Sequence, residues 1–307
     1  MPFGNLEFFI KIFLLFLVAN ILLTLCAAQW RRSKNRRKKL IEAVFADKIS
    51  DFLYPQTGKK PSFIDVQRAL RKVGVREERP ENVQFLIQLM IRTQQALGGS
   101  NRIQLKRLYG QIPPYRASID KLRKRDPFQK ALGIKEIYEM DQNQYIKQIA
   151  AYRDHKNIYL RREAQIALVS FLGWDSLRFL PYLSRKISLW QQIKIVEKLH
   201  DVCREPKVEY LHLAYKTKNP DAIELIIRII KKFYLLSEVD YVFLNLKHPS
   251  YEVRKAAIYC LLSLKVRDGA IAERLVRVMD GIPSKIQRKQ VLKYLAKGGH
   301  TIPTLSL

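Results

Sequence analysis

The chain has 307 residues, of which 48% are hydrophobic, and it carries 56 lysines and arginines against 28 aspartates and glutamates. This length and hydrophobic content exclude a disordered polymer and allow one large domain or two small ones. The formal charge of +28 predicts an anionic partner, which is nucleic acid, anionic lipid or an acidic protein. Three cysteines are too few and too scattered for a disulfide framework, which favours a reducing compartment.

The first element is an apolar stretch that we predict to be a transmembrane helix over residues 6–30. From Phe8 to Trp30 the only charged or amide side chains are Lys11, Asn20 and Gln29, and a helix needs about 20 apolar residues to cross a bilayer. The small residues at 26–28 leave open a cleaved signal peptide or, less favourably, a lipoprotein signal. A signal peptide carries its charge before the apolar stretch, whereas here the charge follows it, which favours an uncleaved anchor.

The second element is a basic juxtamembrane segment, residues 31–39. Its seven cations are Arg31, Arg32, Lys34, Arg36, Arg37, Lys38 and Lys39. By the positive-inside rule they predict a cytoplasmic body and an outside N-terminus in a single-pass inner membrane protein. Each cation near an anionic leaflet contributes about 1 kcal/mol of attraction, so the segment acts as a topology signal, as a contact for anionic lipid head groups, or as both.

Residues 40–112 are predicted to be helical, because three stretches have an amphipathic pattern, but they share no period with the rest of the chain. We interpret them as an atypical N-terminal cap region. Turn-forming residues predict linkers at 54–62 and 109–118.

From residue 126 onward one helical pattern recurs six times: a capping residue is followed by buried-type residues at fixed positions. Candidate N-cap residues are Asp126, Asn157, Ser188, Asn219, Ser250 and Ser284, spaced by 31, 31, 31, 31 and 34 residues. Seven residues after each cap stand Gly133, Ala164, Ile195, Ile226, Ala257 and Val291, and eleven after stand Ile137, Leu168, Leu199, Ile230, Leu261 and Leu295. These offsets fall on one face of an α-helix, so we predict six helices with equivalent buried faces.

Shorter apolar segments between these helices predict a second helix in each repeat. A single helix pair cannot bury its apolar face, so neighbouring pairs must stack. The sequence therefore predicts an all-α chain with a right-handed α-solenoid of about six helical pairs over residues 113–297. The segment 298–307 is predicted to be a flexible tail.

The stretches HPSYEVRKAAIYCLLSL, from His248, and HKNIYLRREAQIALVSFLG, from His155, resemble the HEAT-repeat family of membrane-anchored bacterial type. The resemblance implies a structural arginine ladder at Arg161, Arg254 and Arg288. The two intervening repeats have Gln192 and Ile223 at this position, and we expect the ladder to be broken there.

The same resemblance implies that the second helix of each pair lines a concave face. The cations on these helices that we assign to a basic groove are Lys130, Arg162, Lys194, Lys198, Arg228, Lys231, Lys255 and Lys289. The alternative interpretation of the same residues is a solvated helix face.

Motifs for catalysis are scarce in the sequence. His200, Asp201, Cys203 and His212 lie close together, but no second pair of ligands completes a zinc or phosphohydrolase site. The chain has no glycine-rich phosphate loop and no nucleophile motif. We therefore expect no catalytic residue, no bound metal and no cofactor.

These observations predict a non-enzymatic, membrane-tethered cytoplasmic scaffold that binds an acidic or integral membrane protein. By analogy of fold, such a scaffold suits an accessory subunit of an inner-membrane complex such as a glycosyltransferase or export system. The alternative is a basic nucleic-acid-binding protein with a groove like that of the HEAT-like DNA glycosylases. An enzyme similar to the HEAT-type bilin lyases is a third hypothesis, which no residue pattern supports specifically.

Overall fold

The computed structural model describes residues 3–55, 61–203, 205–264 and 269–297, and side chains from Phe8 to Leu295 within these ranges. The described residues form fifteen α-helices and short 3-10 helices, with no strand among them. The chain divides into two compact units, residues 1–123 and 124–307. The predicted tail, 298–307, lies outside the described residues.

The first unit is built on one long helix. Its helices are α1 (Phe3–Leu53), α2 (Phe63–Lys72), α3 (Pro80–Ala96), α4 (Gly99–Tyr109) and α5 (Pro113–Arg123). The second half of α1 contacts α2, α3 and α4, and α5 contacts α3 and α4. The predicted linker at 109–118 is therefore reduced to residues 110–112, because Pro113 can occupy the start of a helix, where no main-chain N–H is needed.

Helix α1 is continuous because nothing between its apolar and basic segments interrupts it. No proline or glycine lies between Gly4 and Leu53, and lysine, arginine and leucine all favour helix. The side chains of Ile41, Phe45, Ile49 and Phe52 recur at helical spacing and are buried in the core of the first unit.

The second unit consists of short helices that alternate with long ones. The long helices are α6 (Pro127–Glu139), α8 (Ile158–Leu172), α9 (Leu189–Val202), α11 (Pro220–Phe233), α13 (Tyr251–Leu264) and α15 (Lys285–Lys297). The short ones are α7 (Ile146–Ala150), α10 (Val208–Ala214), α12 (Val239–Leu244) and α14 (Ala270–Val278), and a 3-10 helix, Gly173–Tyr182, takes the corresponding place before α9. Successive long helices contact each other in chain order.

The structure confirms the predicted core positions and five of the six predicted side-chain caps. Five of the six predicted cap side chains accept a main-chain hydrogen bond from the first turn of a long helix, namely those of Asp126, Asn157, Ser188, Asn219 and Ser284. At the sixth, Ser250, the main-chain oxygen accepts from Arg254 N. Residues seven and eleven positions after each cap are buried in every long helix. Cap and core positions together fix where each helix starts and which face it buries.

Hydrogen bonds also join the turns that precede successive long helices. Asp154 accepts bonds from Ser184 and from the main chain of Arg185. One repeat further on, Asn219 Nδ2 donates to the carbonyl of Arg185 at 3.1 Å, and Asp221 accepts from Ile187 N at 2.8 Å. These bonds satisfy main-chain groups of the turn 184–187, which lies outside the helices.

Candidate functional site

The N-terminal half of α1 is exposed along its whole apolar stretch. The side chains of Phe13 and Leu15 are 67% and 72% exposed, and no residue of the most apolar window is buried. Two polar side chains within the stretch bond to their own helix: Asn20 donates to the carbonyl of Phe16 and Thr24 to that of Ile21. The helix is long and apolar enough to span a membrane.

The seven cations of the segment 31–39 fall into two sets. Lys34 forms an ion pair with Glu81 of α3, and Lys38 Nζ lies 5.3 Å from the centre of the Phe85 ring. The hydrogen bond from Lys34, together with its charge, holds the pKa of the Glu81 carboxyl below its usual range. The remaining cations are exposed: Arg31, Arg32, Arg36, Arg37 and Lys39. Two of the seven cations thus contact α3, and the other five are exposed on the surface of α1.

The two lysines that contact α3 lie on the same side of α1 as its buried residues. Lys34 and Lys38 continue the buried row that begins at Ile41, whereas Arg32, Arg36 and Lys39 lie on the opposite side of α1. The sequence identified the cluster but not the division, because the partners of Lys34 and Lys38 belong to α3.

In the second unit, most of the cations assigned to the groove have partners of their own. Lys130 Nζ donates to the Tyr152 hydroxyl at 3.2 Å, and Lys198 Nζ lies 5.3 Å from the centre of the Tyr138 ring. Lys255 pairs with Glu252 at 3.6 Å. Lys289 is exposed, with no ion pair or side-chain hydrogen bond among the described residues.

Arg162 and Lys194 meet at a single aromatic ring. The guanidinium of Arg162 lies 4.0 Å from the centre of the Trp190 ring, and Lys194 Nζ lies 5.9 Å from it. Trp190 itself is 49% exposed, and Lys194 also pairs with Glu197 at 2.8 Å. Cations over the face of an indole are attracted to its negative surface, which fixes the ring orientation.

Arg228 belongs to a buried polar network. Its Nε donates to Gln192 at 2.9 Å and to Glu224 at 3.2 Å, and Gln192 donates to Glu224 at 3.1 Å. Gln192 and Glu224 are almost completely buried. Charged groups at this depth need such partners, so the network holds α9 and α11 in register.

Lys231 differs from the other predicted groove cations. It lines a cleft in the described part of the chain, and no side chain there forms an ion pair or hydrogen bond with it. The cleft has a volume of about 380 Å³ and lies between α9, α11 and α13. Its lining residues are Ile193, Val196, Glu197, Arg228, Lys231, Lys232, Tyr234 and Ser263. Lys232 stands beside Lys231 in α11, but it is not among the predicted groove residues.

The arginines of the predicted ladder behave differently from the groove cations. Arg161 and Arg254 are buried, and each donates to the turn before its own helix. Arg288 is only partly buried and is not a rung, because its neighbour Gln287 is buried and accepts from Arg254 Nε at 3.0 Å.

The predicted break at Gln192 is wrong. Gln192 Nε2 donates to the carbonyl of Ile187 at 3.2 Å, as the arginines do in their own turns. A primary amide has two N–H donors and so can replace a guanidinium here. In the described long helices, the row of polar side chains is interrupted at Ile223.

The histidines and cysteine considered as a metal site have separate partners. The His200 ring lies 5.7 Å from that of Phe233, and His212 Nε2 lies 3.1 Å from a carboxylate oxygen of Glu238. Cys203 Sγ donates to the carbonyl of Glu205 at 3.7 Å. No group of three metal-ligating side chains occurs within the described ranges.

Sequence reasoning missed Trp190 and Tyr234 as surface features. Trp190 stands two residues after its cap, as Phe128 and Tyr159 do after theirs, and all three are about half exposed or more. This recurrence was a usable signal. Tyr234 gave no signal, because it ends α11 in a left-handed conformation, φ 53°, where glycine is usual.

No protein-family model matches the chain, and neither a curated protein nor a solved structure is similar enough to it to indicate a family.

Proposed function

We propose that the protein is a non-enzymatic scaffold, anchored in a membrane by α1, whose helical body binds another protein at the membrane surface. One observation carries the proposal: a single helix, α1, is apolar and fully exposed at one end and buried in the first unit at the other. An exposed apolar stretch of this length is stable only in lipid.

The proposal places the exposed cations of α1 at the cytoplasmic face of an inner membrane. The basic residues follow the apolar stretch, which supports an outside N-terminus and a cytoplasmic body. Arg32, Arg36 and Lys39 point away from the first unit and are available to anionic lipid head groups. From Trp30 to Ile41 the helix rises by about 16 Å, so the first unit begins close to the head groups.

We further propose that the second unit is a HEAT-like α-solenoid. The support is internal: the long helices contact each other in chain order, and Arg161 and Arg254 bond to equivalent turns. Repeats of this kind provide extended binding surfaces without catalytic groups. The partner is an acidic or integral membrane protein, and a tether of this kind raises its local concentration.

The anchor is tested by extracting membranes that contain the full-length chain. The protein is expected to remain in the membrane in alkaline carbonate and to dissolve only in detergent. Release by carbonate would overturn the anchor.

The orientation is tested with single cysteines in a chain in which Cys26, Cys203 and Cys260 are serine. An impermeant maleimide should label Asn5→Cys in intact cells and label Lys216→Cys only after the membrane is opened. The reverse pattern would overturn the proposed topology.

The scaffold role is tested by purifying the full-length protein from membranes in mild detergent. We expect an acidic or integral membrane protein to co-purify in constant ratio. A ratio that varies with washing would contradict a stable scaffold.

Nucleic-acid binding is the second candidate, and the exposed Trp190 beside Arg162 and Lys194 favours it, because aromatic and basic side chains together bind unpaired bases. If it holds, the protein binds duplex or single-stranded DNA with an affinity that falls steeply between about 50 and 200 mM salt. Absence of binding at low salt eliminates it.

A further inference from the structure

The long helices α9 and α11 carry an exposed surface that combines apolar and basic side chains. We call it the α9–α11 surface and define it by Trp190, Ile193, Lys231, Lys232 and Tyr234. Trp190, Ile193 and Tyr234 are 49%, 42% and 45% exposed. Four of the five, all but Trp190, line the 380 Å³ cleft, a size within the usual range of binding pockets, about 300–1,000 Å³.

The two lysines are the uncompensated charges of this surface. Arg228 has Glu224, Lys194 has Glu197 and Lys255 has Glu252. In the described part of the chain, no side chain forms an ion pair or hydrogen bond with Lys231 or Lys232. The dipole at the C-terminal end of α11 favours cations there, but it does not account for an adjoining cleft with an apolar wall.

The aromatic side chains of the surface are held in place. The Arg162 guanidinium packs on one side of the Trp190 ring, so less conformational entropy is lost when a partner covers the rest. Tyr234 adopts a left-handed conformation that costs a non-glycine residue about 1 kcal/mol or more. Main-chain bonds from Tyr234 N to Ile230 and Lys231 hold it there, and its side chain lines the cleft.

The exposed side chains of α9 are spaced so that one short peptide segment can contact them together. Trp190 and Ile193 share one face of α9, about 5 Å apart along the helix axis. Glu197 lies on the same face, where its carboxylate pairs with Lys194. Anchors of this kind, an exposed aromatic residue with adjacent charges, carry most of the binding energy in protein interfaces.

We infer that the α9–α11 surface binds a short acidic segment of a protein, with an apolar side chain against Trp190 and Ile193 and carboxylates beside Lys231 and Lys232. This inference rests on the proposed scaffold function and specifies the chemistry of its partner. Charge complementarity supports it, because Lys231 and Lys232 bring to one cleft two cations that no acidic side chain of the described residues pairs with. A nucleic acid requires a continuous run of free cations along its backbone, whereas Lys130, Lys194, Lys198 and Lys255 contact aromatic or acidic side chains of the chain itself.

The test uses the full-length protein in nanodiscs of neutral lipid, so that the anchor is occupied and lipid charge is absent. The probe is a fluorescent peptide in which glutamates flank one leucine. We expect binding at low salt, and no binding of the same peptide with lysines in place of the glutamates.

Two variants locate the site. Lys231→Glu with Lys232→Glu should weaken peptide binding about tenfold or more, since it replaces two attractions with two repulsions. Trp190→Ala should weaken it by a similar factor, about tenfold, through loss of the aromatic anchor.

The matched control is Lys216→Glu with Lys218→Glu, which makes the same change in charge at exposed positions before the other end of α11. It should leave peptide affinity within about twofold. Equal weakening by the two double variants would show a general charge effect and overturn the inference. Thermal unfolding of each variant establishes that a loss of binding is not a loss of fold.

A single-stranded oligonucleotide provides the competing outcome. If it binds and the peptide does not, and Lys231→Glu with Lys232→Glu abolishes that binding, the partner is a nucleic acid and the inference is wrong. If the double variant still co-purifies with the membrane partner in the wild-type ratio, the scaffold function stands and the α9–α11 surface is not its docking site.

Discussion

Arg161 and Arg254 make the same hydrogen bond in two different repeats. Each Nη1 donates at 2.6 Å to the carbonyl of a histidine six positions earlier, His155 in one case and His248 in the other. Each histidine in turn accepts, through Nδ1, from the main-chain N–H two residues further on, at 3.1 Å. The turn and the arginine therefore form one repeated structural unit.

Replacing either arginine should destabilise the second unit. Arg254→Ala removes charge-assisted bonds to the carbonyls of His248 and Pro249 and leaves both oxygens without this donor. We expect a loss of about 1.5–3 kcal/mol in the free energy of unfolding, measured by denaturant unfolding in detergent. The control is Arg288→Ala at the equivalent position of α15, which should change stability by less than about 0.5 kcal/mol. Equal losses would contradict the assignment of Gln287 as the rung.

Stability should fall in mild acid because of His248. Burial and the nearby charge of Arg254 lower the pKa of this imidazole below its ordinary value of 6.5. The unfolded chain therefore binds the proton more readily than the folded one, so stability is full above pH 6.5 and decreases as the pH falls toward the folded pKa. Thermal unfolding at a series of pH values measures this. His248→Asn, which retains an acceptor, should show a smaller decrease than the wild type; an identical decrease would contradict the role of His248.

The same substitution should destabilise the protein in the second half of α1 and leave its stability unchanged in the first half. Phe45 is 3% exposed and lies in the core of the first unit, whereas Phe13 is 67% exposed. Phe45→Ala should lower the free energy of unfolding by about 3–5 kcal/mol, because it leaves a cavity. Phe13→Ala should leave the stability of the first unit unchanged. Urea unfolding of the full-length protein in micelles compares the two variants.

Cys260 should be inert in the folded protein. It is fully buried in α13, and burial raises the pKa of its thiol to about 12. Since the thiolate is the reactive form, a maleimide at pH 8 should label Cys260 only after denaturant is added. The measurement needs a chain with Cys26→Ser and Cys203→Ser, and rapid labelling of the native protein would contradict the buried placement of α13.

The helix caps and the buried positions were predictable, because they depend only on residues close together in the sequence. The caps at Asp126 and Asn157 and the buried positions Ile137 and Leu168 follow from the helix period and from side-chain capping alone. The segment Gly173–Tyr182 forms a 3-10 helix where an α-helix was predicted; Gly173 takes a positive φ where α8 ends, and Pro181 lacks a main-chain donor near the other end of the segment.

Features that depend on distant partners were not predictable in this way. The division of the basic segment depends on Glu81 and Phe85, which lie on α3. The role of Gln192 depends on Glu224 and Arg228 of the next long helix. No local pattern records which surface of another helix a side chain will meet.

If α1 spans a membrane as proposed, its continuity couples the thickness of the bilayer to the orientation of the first unit. A membrane helix tilts when its apolar length exceeds the hydrocarbon thickness, and here no hinge between Trp30 and Leu53 absorbs that change. A change in tilt of about 10° would swing the far end of α1 by roughly 6 Å. The helices of the first unit that pack on that end would tilt with it.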